Sequence, residues 1–243
     1  MIRAWFTGAF LLMSLASAPA QNRSKPEDLS FLWKHASCDT CGLNQPLGFI
    51  GADFQRFYIH FDSVIHEPFR NYYVVSGKTR VKTFTDRFGG TLWIDSISLL
   101  PRDEYIPYQE GFIIGHYLFF EDRSSPTAGV FTGRFSTGIY FDSANRIHLN
   151  DLWDGADGWN NNQFEGRWTS FKDNTEKICN WGDYRIPSSG DLDGGAAEFV
   201  PQPKYAGKGW GNYLKAFMYY PVAVSEEERL KALKEEQRAW WKF

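Results

Sequence analysis

Missing from this 243-residue chain are the short patterns that usually carry catalysis. It has no G-x-S-x-G, no H-E-x-x-H, no phosphate-binding P-loop, no G-x-G-x-x-G and no EF-hand run. It also lacks a basic excess: 26 Lys and Arg stand against 29 Asp and Glu, which argues against a nucleic-acid partner. Large apolar side chains are not lacking, since 43% of the residues are hydrophobic, and an intrinsically disordered chain is thereby excluded. Beyond residue 20 no run is long and apolar enough to span a bilayer as a helix. What the chain has in abundance is aromatic residues, with 10 Trp, 12 Tyr and 21 Phe.

Residues 1–20 carry one positive charge at Arg3, an apolar stretch from Ala4 to Leu15, and a close of small residues ending Ala18-Pro19-Ala20. This order predicts a secretory signal peptide cleaved before Gln21, hence a secreted or periplasmic product with no transmembrane segment in the mature chain. Residues 21–47 read as an N-terminal segment, 48–224 as a single β domain and 225–243 as a C-terminal helix.

Three cysteines remain after such cleavage: Cys38, Cys41 and Cys179. In an oxidising compartment one disulfide and one leftover thiol are expected. A bridge to Cys179 would close a loop of about 140 residues, worth about 5 kcal/mol by the chain-entropy argument, against much less for a local Cys38–Cys41 ring. Two other readings of the same residues are a redox C-x-x-C pair and a zinc site formed with His35.

Most of the remaining chain alternates at period two. Phe57, Ile59 and Phe61 share one face of a strand over 54–61. Strands at 72–75 and 79–84 are separated by Ser76-Gly77-Lys78, which reads as a short hairpin loop. Residues 91–99 alternate, and Phe112 to Phe120 is a nearly continuous apolar run suited to a strand covered on both faces. Residues 129–141, 146–149, 163–171 and 176–181 then follow as an antiparallel meander with polar turns at 142–145 and 172–175. The prediction is an all-β fold, a curved antiparallel barrel or two-sheet sandwich of about eight to ten strands with one helix packed outside. The helix is signalled by Ser225 and Glu228, a capping box, with Leu230, Leu233, Gln237 and Trp240 or Trp241 on its inner stripe. A protein partner for this helix is the alternative reading.

A heptamer of the form F-x-G-R-aromatic-hydroxyl-hydroxyl occurs twice, at Phe131–Thr137 and Phe164–Ser170. Glycine inside a strand marks a bend or a close approach, so Gly133 and Gly166 are candidate points of strong curvature. The Gly166-x-Trp168 spacing resembles the G-x-W of lipocalin-type barrels, although that family carries it on the first strand. The likeness covers three residues and implies no function.

Two loop stretches hold candidate site residues. Trp153, Asp154, Asp157, Trp159 and Asn161 combine flat aromatic faces with carboxylates and amides, a set able to stack on a sugar ring and read its hydroxyls or to coordinate Ca²⁺. Trp181, Asp183, Tyr184, Arg185, Asp191 and Asp193, continuing to Glu198, combine two aromatics with carboxylates that could flank a glycosidic bond. The plainer readings are a turn-rich loop for the first and an Arg185–Asp ion pair within a long connection for the second. The expectation drawn from these residues is an exported, non-catalytic protein that binds a small molecule or glycan, or an apolar ligand, in an aromatic-lined pocket or groove, without a cofactor. The alternative is an exported carboxylate-dependent hydrolase acting on carbohydrate. No catalytic residue or metal ligand can be assigned.

Overall fold

A computed structural model describes residues 27–34, 45–68, 70–102, 106–217 and 223–242. The predicted leader, His35, Cys38 and Cys41 lie outside the described residues. Nine strands form one antiparallel sheet: β1 (Leu47–Ile50), β2 (Gln55–His66), β3 (Tyr72–Val81), β4 (Phe84–Leu99), β5 (Gln109–Glu121), β6 (Gly129–Phe141), β7 (Ile147–Leu149), β8 (Asn161–Ser170) and β9 (Glu176–Asp183). The order around the sheet is β5-β4-β3-β2-β1-β9-β8-β6-β7, and a further β5–β6 pairing closes it. The result is an eight-stranded up-and-down barrel in which β7 is a short flap on the end of β6, taking up the ladder that β8 leaves.

Alternation places Phe57, Ile59, Tyr117, Phe119, Phe131 and Phe164 inside, each essentially without solvent contact. Charged side chains such as Arg134, Glu165 and Arg167 alternate with them and face out. Eight strands enclose a space that side chains can just fill, and here aromatic rings fill it. Trp181 lies flat on Phe164 at 4.8 Å and edge-on to Tyr117 at 5.2 Å.

Gly133 and Gly166, the glycines of the repeated heptamer, are direct cross-strand partners, so the two copies pair antiparallel with each other. A methyl group at either position would overlap the opposite strand's carbonyl and the Tyr117 hydroxyl. The glycines thus form a floor on which that tyrosine rests.

Two expectations are corrected and one open question is narrowed. Ser76-Gly77-Lys78 is no hairpin loop but the middle of β3, continuous from Tyr72 to Val81. The turn falls at Lys82 and Thr83, with Lys82 at φ 57°. Gly77 is glycine because the His60 carbonyl and the Phe88 ring leave no room for a side chain. Cys179, one of three cysteines whose pairing the sequence leaves open, is a free thiol in the barrel core on β9, wholly buried, and Cys38 and Cys41 lie outside the described residues. The Phe112–Phe120 run is covered on its inner face alone, while its outward residues stay open among the described residues.

One mouth of the barrel is closed by the segment before β1. Leu29, Leu32 and Trp33, on and beside a 3-10 turn, enter the core. The Trp33 indole donates to the Thr137 hydroxyl at 3.0 Å, which donates to Asn162 Oδ1 at 2.9 Å. The Asn162 amide donates in turn to the Leu32 carbonyl at 3.0 Å and to Asp183 at 2.8 Å.

After β9 the chain wraps the outside of β1 and β2. Leu47 and Phe49, the outward residues of β1, are covered by Ile186, Leu192, Phe199, Trp210 and Tyr213, a second core. Helices α1 (Gly211–Ala216) and α2 (Glu226–Glu236) complete the wrap, and α2 starts at the predicted Ser225–Glu228 capping box. Trp240 of the expected stripe is buried as an anchor, but the helix itself packs by other residues. Leu230 is exposed, whereas Ala232 and the Glu236 side chain are buried, the latter paired with Arg56 at 3.3 Å. The Arg56 guanidinium lies 4.1 Å from the Trp210 ring and 4.9 Å from that of Tyr58, and Trp240 beyond α2 is buried over Arg80. A long polar side chain serves here where an apolar one was expected, because the outward face of β2 and β3 offers two arginines. Among the described residues no helix is long and apolar enough to cross a membrane.

Candidate functional site

Most of the predicted site residues converge at the end of the barrel where β6 ends and β8 begins. The loop between β7 and β8 is built by successive turns, in which Asp154 N donates to the Asp151 carbonyl and Ala156 N to that of Trp153. Gly158, at φ 76°, then turns the chain and donates its N–H to the Ala197 carbonyl at 2.7 Å, tying the loop to the stretch after β9.

Trp153 is 49% exposed, and its indole donates to Glu110 Oε1 at 3.2 Å. The same oxygen accepts from the Asn150 amide at 2.7 Å. Trp159 is half-buried and meets the Tyr184 ring edge-on at 4.3 Å. Tyr184 is 55% exposed and sits in the left-handed backbone region at φ 63°. For a bulky residue that conformation costs about 1–2 kcal/mol relative to the right-handed one, and strain of this kind is concentrated at functional sites. The Tyr184 phenol is pushed above its ordinary pKa, first by partial burial and then by the carboxylates of Asp154, Asp183 and Asp151.

Most of the other predicted residues have structural work. Trp181 is core material, 1% exposed. Asn161 is buried: its Oδ1 accepts from Gly138 N at 2.7 Å, and its amide donates to the carbonyls of Gly138 and Asn150. Arg185 is a clasp. Its guanidinium donates to Asp193 at 2.6 Å and to the carbonyls of Gly195 and Ala196, shaping the loop after β9. Asp193 accepts further from the backbone N–H groups of Gly195 and Val200. Asp191 lies with Lys204 and Tyr205. Asp157 is exposed in the β7–β8 loop, with no side-chain partner among the described residues. Three of the carboxylates weighed for hydrolysis, Asp183, Asp191 and Asp193, therefore each hold a part of the chain in place. No group of three or more His, Cys, Asp or Glu side chains able to hold a metal ion occurs among the described residues.

Scans against protein-family models, curated proteins and solved structures return no match for this chain. The site must be read from its own chemistry.

Sequence reasoning missed Glu110, Asn150, Tyr108 and Tyr140. Tyr140 stacks on His148 at 4.9 Å and contacts Tyr108 at 5.1 Å, continuing the aromatic surface along the same end. Glu110 opens β5, far from the loop it supports in sequence, and nothing local marks it.

Proposed function

We propose that this protein is an exported, non-catalytic binding module that takes its ligand at this end of the barrel, on the surface carrying Trp153, Trp159 and Tyr184. The observation that carries the reading is Tyr184, an exposed aromatic ring held in an unfavourable backbone conformation against Trp159 and surrounded by Asp151, Asp154 and Asp183. Aromatic faces stack on sugar rings, and carboxylates beside them accept hydrogen bonds from hydroxyls. A glycan or a similar polyhydroxylated ring is therefore the ligand class. The barrel interior is filled by its own side chains, which favours the rim as the place of binding. Export rests on the leader-like pattern of residues 1–20.

Titration of the protein with a panel of soluble oligosaccharides, followed by tryptophan fluorescence and calorimetry, tests this. Saturable binding is expected, weakened about tenfold or more by Trp153→Ala or Tyr184→Ala, since loss of one stacking ring removes 1.4 kcal/mol or more. Absence of binding across the panel, or variants that bind as well as the parent, refutes it.

A further inference from the structure

Glu110 on β5, Tyr140 on β6 and His148 on β7 are successive cross-strand partners, so their side chains stand in one row across three strands. The row lies on the outer face, because Ile139 and Leu149, the neighbours of Tyr140 and His148 along their strands, pack against the core. Two strand spacings separate its ends, about 10 Å. Trp153 lengthens it at the β5 end, where its indole donates to Glu110 Oε1 at 3.2 Å. Tyr108 flanks Tyr140 at 5.1 Å, and Tyr140 stacks on His148 at 4.9 Å.

The far end of the row is set by Asp142. Its carboxyl group accepts from the N–H groups of Ala144 and Arg146 at 2.9 Å each, from Arg146 Nε at 2.8 Å and from His148 Nε2 at 3.0 Å. A carboxyl group with so many donors is ionised. In the neutral imidazole the proton therefore sits on Nε2, and Nδ1 is left as an acceptor. His148 Nδ1 has no partner among the described residues, and neither has Glu110 Oε2, since both bonds to that carboxylate use Oε1. Arg146, the cation beside the row, is paired with Asp142 at 2.7 Å. Free acceptors spaced between half-exposed rings suit a partner that brings hydroxyl donors at intervals.

We infer that the binding surface continues along this row and that its ligand is a linear oligosaccharide lying across β5, β6 and β7. His148 Nδ1 accepts a hydroxyl from a sugar ring beyond the one that stacks on Trp153. The inference rests on the glycan reading of Trp153, Trp159 and Tyr184 and adds length to it: Trp153 and His148 are too far apart for one sugar ring to touch both. The register places the row at a right angle to the strands, so the saccharide runs around the barrel rather than along it.

Calorimetry of the full chain with maltose and maltohexaose, cellobiose and cellohexaose, and diacetylchitobiose and its hexamer is the test. In the series that binds, the hexasaccharide is expected to bind at least about twentyfold more tightly than the disaccharide, beyond the roughly fivefold that repeated registers along a hexamer supply. His148→Ala weakens the hexasaccharide about tenfold and the disaccharide far less. His148→Phe keeps a ring to stack on Tyr140 but removes the acceptor, and loses as much as the alanine variant. A hexasaccharide that gains no more than repeated registers supply, or a His148→Phe variant that binds it as the parent does, overturns this inference and leaves the glycan reading standing. Absence of binding to every saccharide, or binding of spermine in their place, overturns both.

Discussion

Glu121→Gln offers a sharp test of how the barrel tolerates a carboxyl group in its core. Glu121, at the end of β5, is 5% exposed and accepts hydrogen bonds from the Thr79 hydroxyl at 2.5 Å, the Trp168 indole at 2.8 Å and the Gly129 N–H at 2.9 Å. Three donors favour the ionised form, but burial outweighs them and lifts the pKa from 4.5 to about 7. Below the ordinary value the group is protonated in both the folded and the unfolded chain, and pH has no effect through it. Between the two values the unfolded chain ionises first, so stability falls by about 1.4 kcal/mol per pH unit. The total loss through this window is about 3 kcal/mol, fully felt at alkaline pH. Glutamine keeps an oxygen for Trp168 and Gly129, and the Thr79 hydroxyl can turn to accept from the new amide. The variant should match the parent at pH 4 or below and exceed it by up to about 3 kcal/mol at pH 8 to 9. Urea unfolding of both proteins across that range measures the difference directly. Parallel stability curves for parent and variant would refute the reasoning.

Three further outcomes follow from the packing. Gly166→Ala drives a methyl into the Thr132 carbonyl and the Tyr117 hydroxyl, and should cost about 3 kcal/mol or more in urea unfolding, of the order of an overpacked core. Tyr184→Gly relieves the left-handed backbone and should raise stability by about 1 kcal/mol while weakening oligosaccharide binding about tenfold or more; a destabilised variant would show the strain argument to be wrong. Glu236→Ala leaves Arg56 buried and uncompensated, at a cost of about 3–5 kcal/mol. Replacing Arg56 and Glu236 together by Met and Leu should recover most of that loss in thermal melts.

The strands were legible because a barrel with an apolar inside imposes period two, and residues such as Phe57, Ile59 and Phe61 keep it without interruption. Gly77 misled because a glycine flanked by serine and lysine has the composition of a turn. Only its neighbours, the His60 carbonyl and the Phe88 ring, reveal that it is there for lack of space. The repeated heptamer was visible as a repeat, but its meaning needed the register in which Gly133 faces Gly166. Site legibility was divided in the same way. Trp153, Trp159 and Tyr184 stood out by lying in polar loops; Trp159 and Tyr184 meet edge-on, while Trp153 bonds Glu110. Trp181 had the same local composition and proved to be core, because β9 continues two residues past it to Asp183 and its side chain is buried. That Arg185 pairs with a nearby Asp was recognisable from sequence, with the structure naming Asp193, whereas Glu110, far from the loop it supports, was not.

Closure of the barrel joins Leu47–Ile50 to Cys179–Gly182, and those two strands lie more than a hundred residues apart. Every other strand pairing links neighbours along the chain, apart from the step over the short β7 flap. The hairpins can therefore form as the chain emerges, but the last seam must wait until β9 exists. Until then β1 and the newest strand present open edges, which recruit other chains as readily as each other. Closing so long a loop is also slow relative to zipping a hairpin. A chain shortened before β9 would keep nearly all of its local pairings and still be an aggregating species, since the pairing that removes the last open edge is the one that spans the greatest stretch of sequence.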